Sequence, residues 1–295
     1  MEEVNGKIQK ETVSDIRARV TAQYDRLRQN GCREEAAYLK ILEPYLEDTR
    51  SSVRSFIKSE QKKIRQLMDE FARLYQMTEF ERKYGELSAI CGIDEVGRGP
   101  LAGPVVACAV ILPKDCNILY LNDSKQLTEK KREELYSEIT KKAAAVSTGC
   151  VPHDVIDKIN ILRATYLAMK QAVDGLGVRP DLLLVDAVHI PDIPYRQVGI
   201  IKGDARSVSI AAASIVAKVT RDHMMNEFDR LYPGYGFASN KGYGSEAHLK
   251  ALKELGPCPI HRRSFLKNLD VKQTKEHTGG ADIEGEDSCR EGTKD

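Results

Sequence analysis

Apolar side chains at Phe56, Ile57, Ile64, Leu67, Met68, Phe71, Leu74 and Tyr75 recur every three or four residues, which puts them on one face of a helix. On the same stretch Arg50, Arg54, Lys58 and Lys62 recur every fourth residue and form a basic stripe. Charge-rich sequence poor in Gly and Pro extends over residues 1–87 and predicts a helical N-terminal extension. The stripe reads in two ways, as the solvated side of an amphipathic helix or as a surface that tracks phosphates. Same-sign neighbours at i,i+4 carry a small cost and no structural benefit, which keeps the second reading open. On that reading the extension is an added substrate-binding module.

From residue 88 the pattern changes to short apolar runs. Residues 89–93, 104–112, 146–151, 181–188 and 196–202 read as strands. Helices are predicted over 123–142, with Thr128 as N-cap, over 154–176, closed by Gly175 and Gly177, and over 208–231, ending before Pro233. Strands alternating with helices predict an α/β domain over residues 88–269 with several strands in one sheet. Residues 270–295 are polar, acidic and nearly free of bulky apolar side chains, so disorder is expected there.

A chain of 295 residues with 41% hydrophobic and 30% charged residues can bury a sizeable core beneath a well-solvated surface. The polar first thirty residues do not resemble a signal peptide, and the apolar runs are too short or interrupted to cross a bilayer. A soluble, cytoplasmic protein is expected, and nothing demands more than a monomer. Seven cysteines without a CxxC pair argue against a disulfide framework. Cys258 and His261 have C-x-x-H spacing, half of a zinc site, but no comparable second pair lies nearby, so zinc is not expected. The net charge of +1 means that any footprint for a polyanion must come from local clustering.

Acids stand where strands are predicted to end. Asp94 and Glu95 follow the run 90–93, Asp186 ends 182–185, and Asp204 follows 198–201 at the entry to the long helix. In α/β sheets functional groups gather at strand ends. Each acid alone reads as an ordinary loop or cap residue, but four together would repel one another unless cations lay among them. Carboxylate oxygens with water and phosphate suit Mg²⁺ or Mn²⁺. Two such ions can stabilise the attacking and leaving oxygens of a phosphoryl displacement.

The turn after the first pair, Gly97-Arg98-Gly99, brings backbone close to a ligand and offers a guanidinium for phosphate. It is no P-loop, because the lysine-Ser/Thr ending is absent. Lys125, Lys202, Arg206, Lys218, Arg221 and the knot His261-Arg262-Arg263 each read as surface, but their concentration in one domain suggests a polyanionic substrate. Tyr243, on the loop Lys241-Gly242-Tyr243-Gly244, suits stacking on a sugar or base.

The run Gly92-Ile93-Asp94-Glu95-Val96-Gly97-Arg98-Gly99-Pro100-Leu101-Ala102-Gly103-Pro104 resembles the opening signature of the ribonuclease HII family. Asp123-Ser124-Lys125, Val185-Asp186-Ala187, Lys202-Gly203-Asp204, residues 211–222 and Lys241-Gly242-Tyr243-Gly244 are similar to its later motifs, in the same order. The resemblance implies a ribonuclease H-like fold, with a mixed five-stranded sheet flanked by helices and a small helical C-terminal segment. It implies cleavage of the RNA strand of RNA–DNA hybrids and cutting 5′ to ribonucleotides embedded in DNA, leaving 5′-phosphate and 3′-hydroxyl ends. Asp94, Glu95, Asp186 and Asp204 then match the metal-binding carboxylates. Gly97, Arg98 and Gly99 match the sensor of the 2′-hydroxyl, and Tyr243 matches the tyrosine that stacks on the downstream deoxyribose. Lys125, Ser207 and Lys218 fall near phosphate contacts, and Lys202 beside them.

Four rival readings fit these residues less well. Ribonuclease HIII shares the fold, but its turn and fourth acid differ from Arg98 and Asp204. A non-catalytic hybrid-binding protein should have lost at least one acid. A transposase or junction resolvase on the same fold has no reason to keep Gly-Arg-Gly. A small-phosphate hydrolase would not need Tyr243 and the dispersed lysines.

Overall fold

A computed structural model of the chain describes residues 11–114 and 116–269. The disorder expected for residues 270–295 falls outside them. The main helices are α1 (Val13–Gln29), α2 (Glu35–Leu42), α3 (Ser51–Met77), α4 (Glu79–Lys83), α5 (Glu129–Lys142), α6 (His153–Ile159), α7 (Ile161–Asp174), α8 (Val208–Leu231), α9 (Phe237–Asn240), α10 (Glu246–Leu255) and α11 (Arg263–Leu266). The strands are β1 (Ile90–Val96), β2 (Val105–Ile111), β3 (Ala145–Val151), β4 (Leu182–Asp186) and β5 (Gln197–Ile200). They form one sheet in the order β3-β2-β1-β4-β5. The β1–β2 and β2–β3 pairs are antiparallel; β1–β4 and β4–β5 are parallel. This is the mixed five-stranded sheet flanked by helices that the resemblance implied.

Alternate residues of the strands face two helical layers. Cys91, Ile93, Val105, Ala107, Leu183 and Val185 pack with Ile156 of α6 and Ala168 and Met169 of α7. The other set, Cys108 and Val110, packs with Ala212, Ile215 and Val219 of α8 and Leu135 and Ile139 of α5. Gly92 brings α8 onto the sheet, since a Cβ there would lie 2.1 Å from the Ser209 carbonyl carbon.

Element boundaries move where a side chain competes for the backbone. The helix expected over 123–142 starts at Glu129, where Thr128 accepts the Lys131 N–H, and Ser124–Gln126 form a separate 3₁₀ turn behind Asp123. The helix expected over 154–176 is two, broken at Asn160 with φ 68°, whose side chain caps α7. β5 stops at Ile200 because Lys202 turns left-handed, φ 55°, before the turn Gly203–Ala205.

Helices α1, α2 and most of α3 share a core of their own, including Ile16, Val20, Tyr38, Leu42, Phe56, Ile64 and Leu67. Leu74 and Met77, at the end of α3, join the core of the sheet instead. Tyr75, expected on the apolar face, is 56% exposed, with the Arg82 guanidinium 3.9 Å above its ring. Arg54, Lys58 and Lys62 of the basic stripe are exposed. Arg50 folds back onto Asp48 at 2.6 Å. Among the described residues no helix is long and apolar enough to cross a membrane.

Candidate active site

Strand register brings the first two acids together. Ile93 pairs with Val185 in the parallel ladder, so Asp94 and Asp186 come next on adjacent strands and, by alternation, face α8. Asp94 and Glu95 lie inside β1 rather than after it, because Glu95 and Val96 still pair with Ala107 and Val106 of β2. Asp186 is the last residue of β4, which ends where Ala187 adopts φ 54°. Asp204 sits in the turn Gly203–Ala205, and the N–H of Gly203 donates to Asp186 Oδ1 at 2.7 Å. The turn carrying one acid is thereby pinned to another.

The acids feel one another. Burial pushes the Asp94 carboxyl well above the usual range, and Glu95 and Asp186 add to the shift. Glu95 is also raised by burial, opposed by Arg98, whose Nη1 donates to Oε1 at 3.2 Å. Asp204 is raised by burial, then by Asp123 and Asp186, with Lys125 opposing. Burial acts against the Lys125 charge, yet Asp123, Asp204, Asp94 and Asp186 together hold its ammonium above the usual range. Like charges 4 Å apart cost on the order of 4 kcal/mol at an effective dielectric of 20. Such a cluster is stable when partly protonated or when cations lie among the carboxylates.

Three residues that the motifs include carry no assigned role in the sequence and join the site here. Asp123 joins the electrostatic neighbourhood while accepting the Lys125 N–H at 2.9 Å. The Ser214 hydroxyl donates to that of Ser124 at 3.0 Å, and Ser214 works against the rise of the Asp94 carboxyl. Ser124 and Ser214 thus tie the Asp123-Ser124-Lys125 segment to α8 beside the buried acid.

The glycine-rich turn is built from beneath. Arg221 and Arg262, expected at the surface, are fully buried. Arg262 donates to the carbonyls of Gly97 (2.6 Å), Arg98 (3.0 Å) and Gly103 (2.9 Å). Arg221 donates to those of Pro104 (2.9 Å), Lys241 (2.9 Å) and Ala102 (3.1 Å). Burial lowers them to about 10 for Arg221 and about 9 for Arg262, so both remain charged at neutral pH. Gly97 has φ +91°, and a Cβ on it would sit 2.2 Å from Arg221 Nε. The N–H of Leu101 donates to Gly242 O at 2.8 Å, locking this turn to the loop that carries Tyr243. Tyr243 is 46% exposed, and a Cβ on Gly99 would lie 3.6 Å from its ring.

The remaining predicted contacts divide. Lys125 and Lys202 are exposed. Ser207 is fully buried; its hydroxyl donates to Glu81 at 2.6 Å and accepts the Ile210 N–H at 3.2 Å, so it caps α8. Lys218 donates to Asp222 at 2.6 Å and is half-buried, which ties it to its own helix. Burial lowers its ammonium despite that partner.

Comparison with known proteins then decides the family. The family model described as ribonuclease HII matches residues 91–268. The chain belongs to the ribonuclease HII family. A second model, the ribonuclease HII N-terminal domain, matches residues 25–85. The ribonuclease HII of Lachnoclostridium phytofermentans is 60% identical over 80% of this chain and 92% of its own length. That of Enterococcus faecalis is 54% identical over 78% and 91%. Among solved structures, the ribonuclease H2 of Pyrococcus horikoshii OT3 superposes with a TM-score of 0.51 at 28% identity, covering 60% of this chain and 93% of that one. The ribonuclease HII of Archaeoglobus fulgidus, solved in complex with PCNA, gives 0.51 at 27% identity over 62% and 98%. This ribonuclease HII family member is a hydrolytic endoribonuclease acting on nucleic acid.

A buried histidine pair completes the scaffold of this ribonuclease HII site. His248 and His261 are fully buried, with their Nε2 atoms 3.0 Å apart. The Cys258 N–H donates to His261 Nδ1 at 2.9 Å, and His248 Nδ1 lies 2.8 Å from the Tyr243 carbonyl. One neutral tautomer set satisfies all three contacts: His261 Nε2–H donates to His248 Nε2, and His248 Nδ1–H donates to Tyr243. Burial pushes His261 down to about 4 and lowers His248 as well. The C-x-x-H spacing therefore serves this chain of hydrogen bonds behind Tyr243.

Proposed function

We propose that the enzyme hydrolyses the RNA strand of RNA–DNA hybrids and cuts on the 5′ side of ribonucleotides embedded in duplex DNA, with divalent cations at the acid cluster. The observation that carries this reading is the side-by-side placement of Asp94 and Asp186, with the Asp94 carboxyl raised by burial and by the neighbouring Glu95 and Asp186. The donor set fits Mg²⁺ or Mn²⁺, because it offers hard carboxylate oxygens only. Among the described residues no three His, Cys, Asp or Glu form a preassembled metal cage. Water and substrate phosphate would fill the remaining positions, as Mg²⁺ favours. Asp94, Glu95, Asp186 and Asp204 would hold the cations, two per site during catalysis. When bound, they supply a water nucleophile at neutral pH and offset charge on the leaving 3′ oxygen.

The chain's own groups orient the strand. Lys125 and Lys202, exposed beside Asp204, attract backbone phosphates. Carbonyls of Gly97 and Arg98 turn inward onto Arg262, leaving Arg98 and Gly99 exposed to read the 2′-hydroxyl, the local mark of a ribonucleotide. The Tyr243 ring beside Gly99 stacks on the next sugar. Arg54, Lys58 and Lys62 support a further role for the N-terminal helices in tracking phosphates.

Cleavage of a labelled DNA duplex carrying one ribonucleotide, mapped with Mg²⁺, Mn²⁺ or EDTA, tests the reading. The expected result is a metal-dependent cut 5′ to the ribonucleotide, leaving 5′-phosphate and 3′-hydroxyl ends. Cutting of long hybrids alone would overturn the role of the glycine turn, and no cutting with either metal would overturn the metal site.

A further inference from the structure

We propose that Glu70, Arg73 and Glu81 of the N-terminal helices are positioning residues for the nuclease reaction, holding the two segments that bring Asp123, Lys125 and Asp204 to the acid cluster. The proposal rests on the site reading given above, and it assigns the N-terminal helices a task separate from substrate binding.

The first contact is a clamp on the backbone of two successive residues, Tyr120 and Leu121. Glu70 is 9% exposed, and Arg73 forks onto it, with Nε to Oε2 and Nη2 to Oε1 both 2.8 Å. An i,i+3 pair of this kind is ordinary on a helix surface. This one also reaches outward: Glu70 Oε1 accepts the Tyr120 N–H at 2.6 Å, and Arg73 Nη2 donates to Leu121 O at 2.7 Å. Tyr120 has φ 70°, a left-handed conformation that a bulky residue keeps only when its surroundings impose it. Leu121, 2% exposed, is seated beside Leu74 in the sheet's core. Two residues further, Asp123 opens the turn that presents Ser124 and Lys125 to the acids.

The second contact caps the long helix from outside its own segment. Glu81 Oε1 accepts the Ser207 hydroxyl at 2.6 Å and the Ser209 N–H at 3.0 Å, while Ser207 covers the Ile210 N–H. A carboxylate at a helix N-terminus also favours the helix dipole. The Ser207 N–H donates to Gly203 O at 2.8 Å, and the Gly203 N–H donates to Asp186. Glu81 is thus connected through two residues to the turn bearing Asp204 and to Asp186 itself. Its Oε2 is buried with no partner among the described residues. Apolar packing of Leu74 and Met77 would suffice to attach these helices, yet the charged contacts fall on the segment leading into Asp123 and the one leading out of Asp204.

The test compares Arg73→Ala, Arg73→Lys, Glu81→Ala and Glu81→Gln in the full chain, with Asp94→Asn as the control for the site. The substrate is the duplex with one ribonucleotide. Arg73→Ala and Glu81→Ala are expected to lower kcat about tenfold, to leave KM and its salt dependence within about twofold, and to raise severalfold the Mn²⁺ concentration needed to raise the melting temperature. Glu81→Gln, which keeps the acceptor oxygen, is expected to recover most of kcat. If an alanine variant fails to fold, Arg73→Lys, which cannot fork onto Glu70, and Glu81→Asp, whose shorter side chain withdraws the acceptor from Ser207 and Ser209, decide by the same kcat-against-KM split. Unchanged kcat in the alanine variants or these replacements, or a loss confined to KM, overturns the proposal. Asp94→Asn inactive beside unaffected clamp variants sinks this inference alone, whereas an active Asp94→Asn sinks the site reading beneath it.

Discussion

The two ends of the site bury charge in opposite ways. At the acidic end Asp94 is 6% exposed among Glu95, Asp186 and Asp204, and burial, Glu95 and Asp186 raise its carboxyl, while Arg98 and Lys125 only partly offset the charge of the cluster. At the glycine-rich end Arg221 and Arg262 are fully buried too, but each donates to three backbone carbonyls. Burying an unpaired charge is expensive, whereas a fully hydrogen-bonded one is tolerated. On the proposed reading one end is completed by a cation and is held under repulsion without it. The other is complete as the chain makes it, and rigidity is its product. Removing a charge should therefore have opposite effects on stability at the two ends.

The sharpest break comes at Asp94. Asp94→Asn is expected to lower cleavage by about a thousandfold or more, the order of effect for removing one charge-stabilising group from an active site. The same change removes a buried carboxylate from a repelling cluster. Without divalent cation the variant should melt a few degrees higher, since about 1 kcal/mol moves a domain of this size by ~2–4 °C. Thermal melts in EDTA and single-turnover cleavage in Mg²⁺ check both halves. An inactive variant that melts lower would show that the carboxylate stabilises the fold, contrary to the comparison.

Arg262→Met turns the sign around. Three carbonyls, of Gly97, Arg98 and Gly103, lose their donor inside the protein. Each orphaned acceptor costs about 1–3 kcal/mol, and breaking buried ionic networks typically costs ~3–5 kcal/mol. A drop of about 10 °C in melting temperature is expected, together with weaker cutting at embedded ribonucleotides below that temperature. Stability equal to the parent protein would mean that the turn holds its shape by its own backbone preferences.

The same contrast explains what the sequence revealed. Apolar runs ending in acids exposed β1, β4 and the cluster, because strand burial and a terminal carboxylate are both local signals. The scaffold was hidden because its partners are distant and chemically silent. Nothing in His261-Arg262-Arg263 announces carbonyl acceptors 159 to 165 residues away. Ser214 sits in a run of small residues, and Asp123 looks like the turn-former it also is. The Glu81 partner of Ser207 is hidden for the same reason: a serine before a helix beside basic residues reads alike whether it meets a phosphate or Glu81. Motif resemblance found positions, and only packing separated those facing outward from those facing inward.

Acidity probes the neutral part of the scaffold. Unfolded, His261 takes a proton near 6.5; folded, burial and His248 hold it down to about 4. Between these values the unfolded chain binds more protons, so this contribution is full above about pH 6.5 and is lost as pH falls toward 4. The span corresponds to about 3 kcal/mol at most. His261→Asn keeps an acceptor for the Cys258 N–H but does not titrate. Urea unfolding at pH 7.5 and 5.0 should show a smaller loss of stability in the variant than in the parent. The acid cluster titrates in both proteins and cancels in that difference, and equal losses would remove the histidine pair as the source.

The smallest expected effect separates the two arginines that serve one turn, Arg98 within it and Arg262 beneath it. Arg98 differs from Arg262 in facing outward: its side chain is 44% exposed, and its one ion pair, to Glu95 Oε1, is 3.2 Å long. Exposed pairs of this kind are worth at most about 1 kcal/mol, so Arg98→Ala should leave the melting temperature within ~4 °C of the parent. Cleavage at a single embedded ribonucleotide should fall about tenfold, roughly 1.4 kcal/mol of transition-state stabilisation. Long hybrids offer many ribonucleotides and more phosphate contacts, so their cleavage should fall less. The informative quantity is the ratio of the two rates, because any general disturbance of the acid cluster through Glu95 lowers both alike. A ratio that moves while the melting temperature holds places selectivity in the outward guanidinium and shape in the inward one. An unchanged ratio would assign selectivity to the backbone that Arg262 holds in place and leave Arg98 as a solvated partner of Glu95.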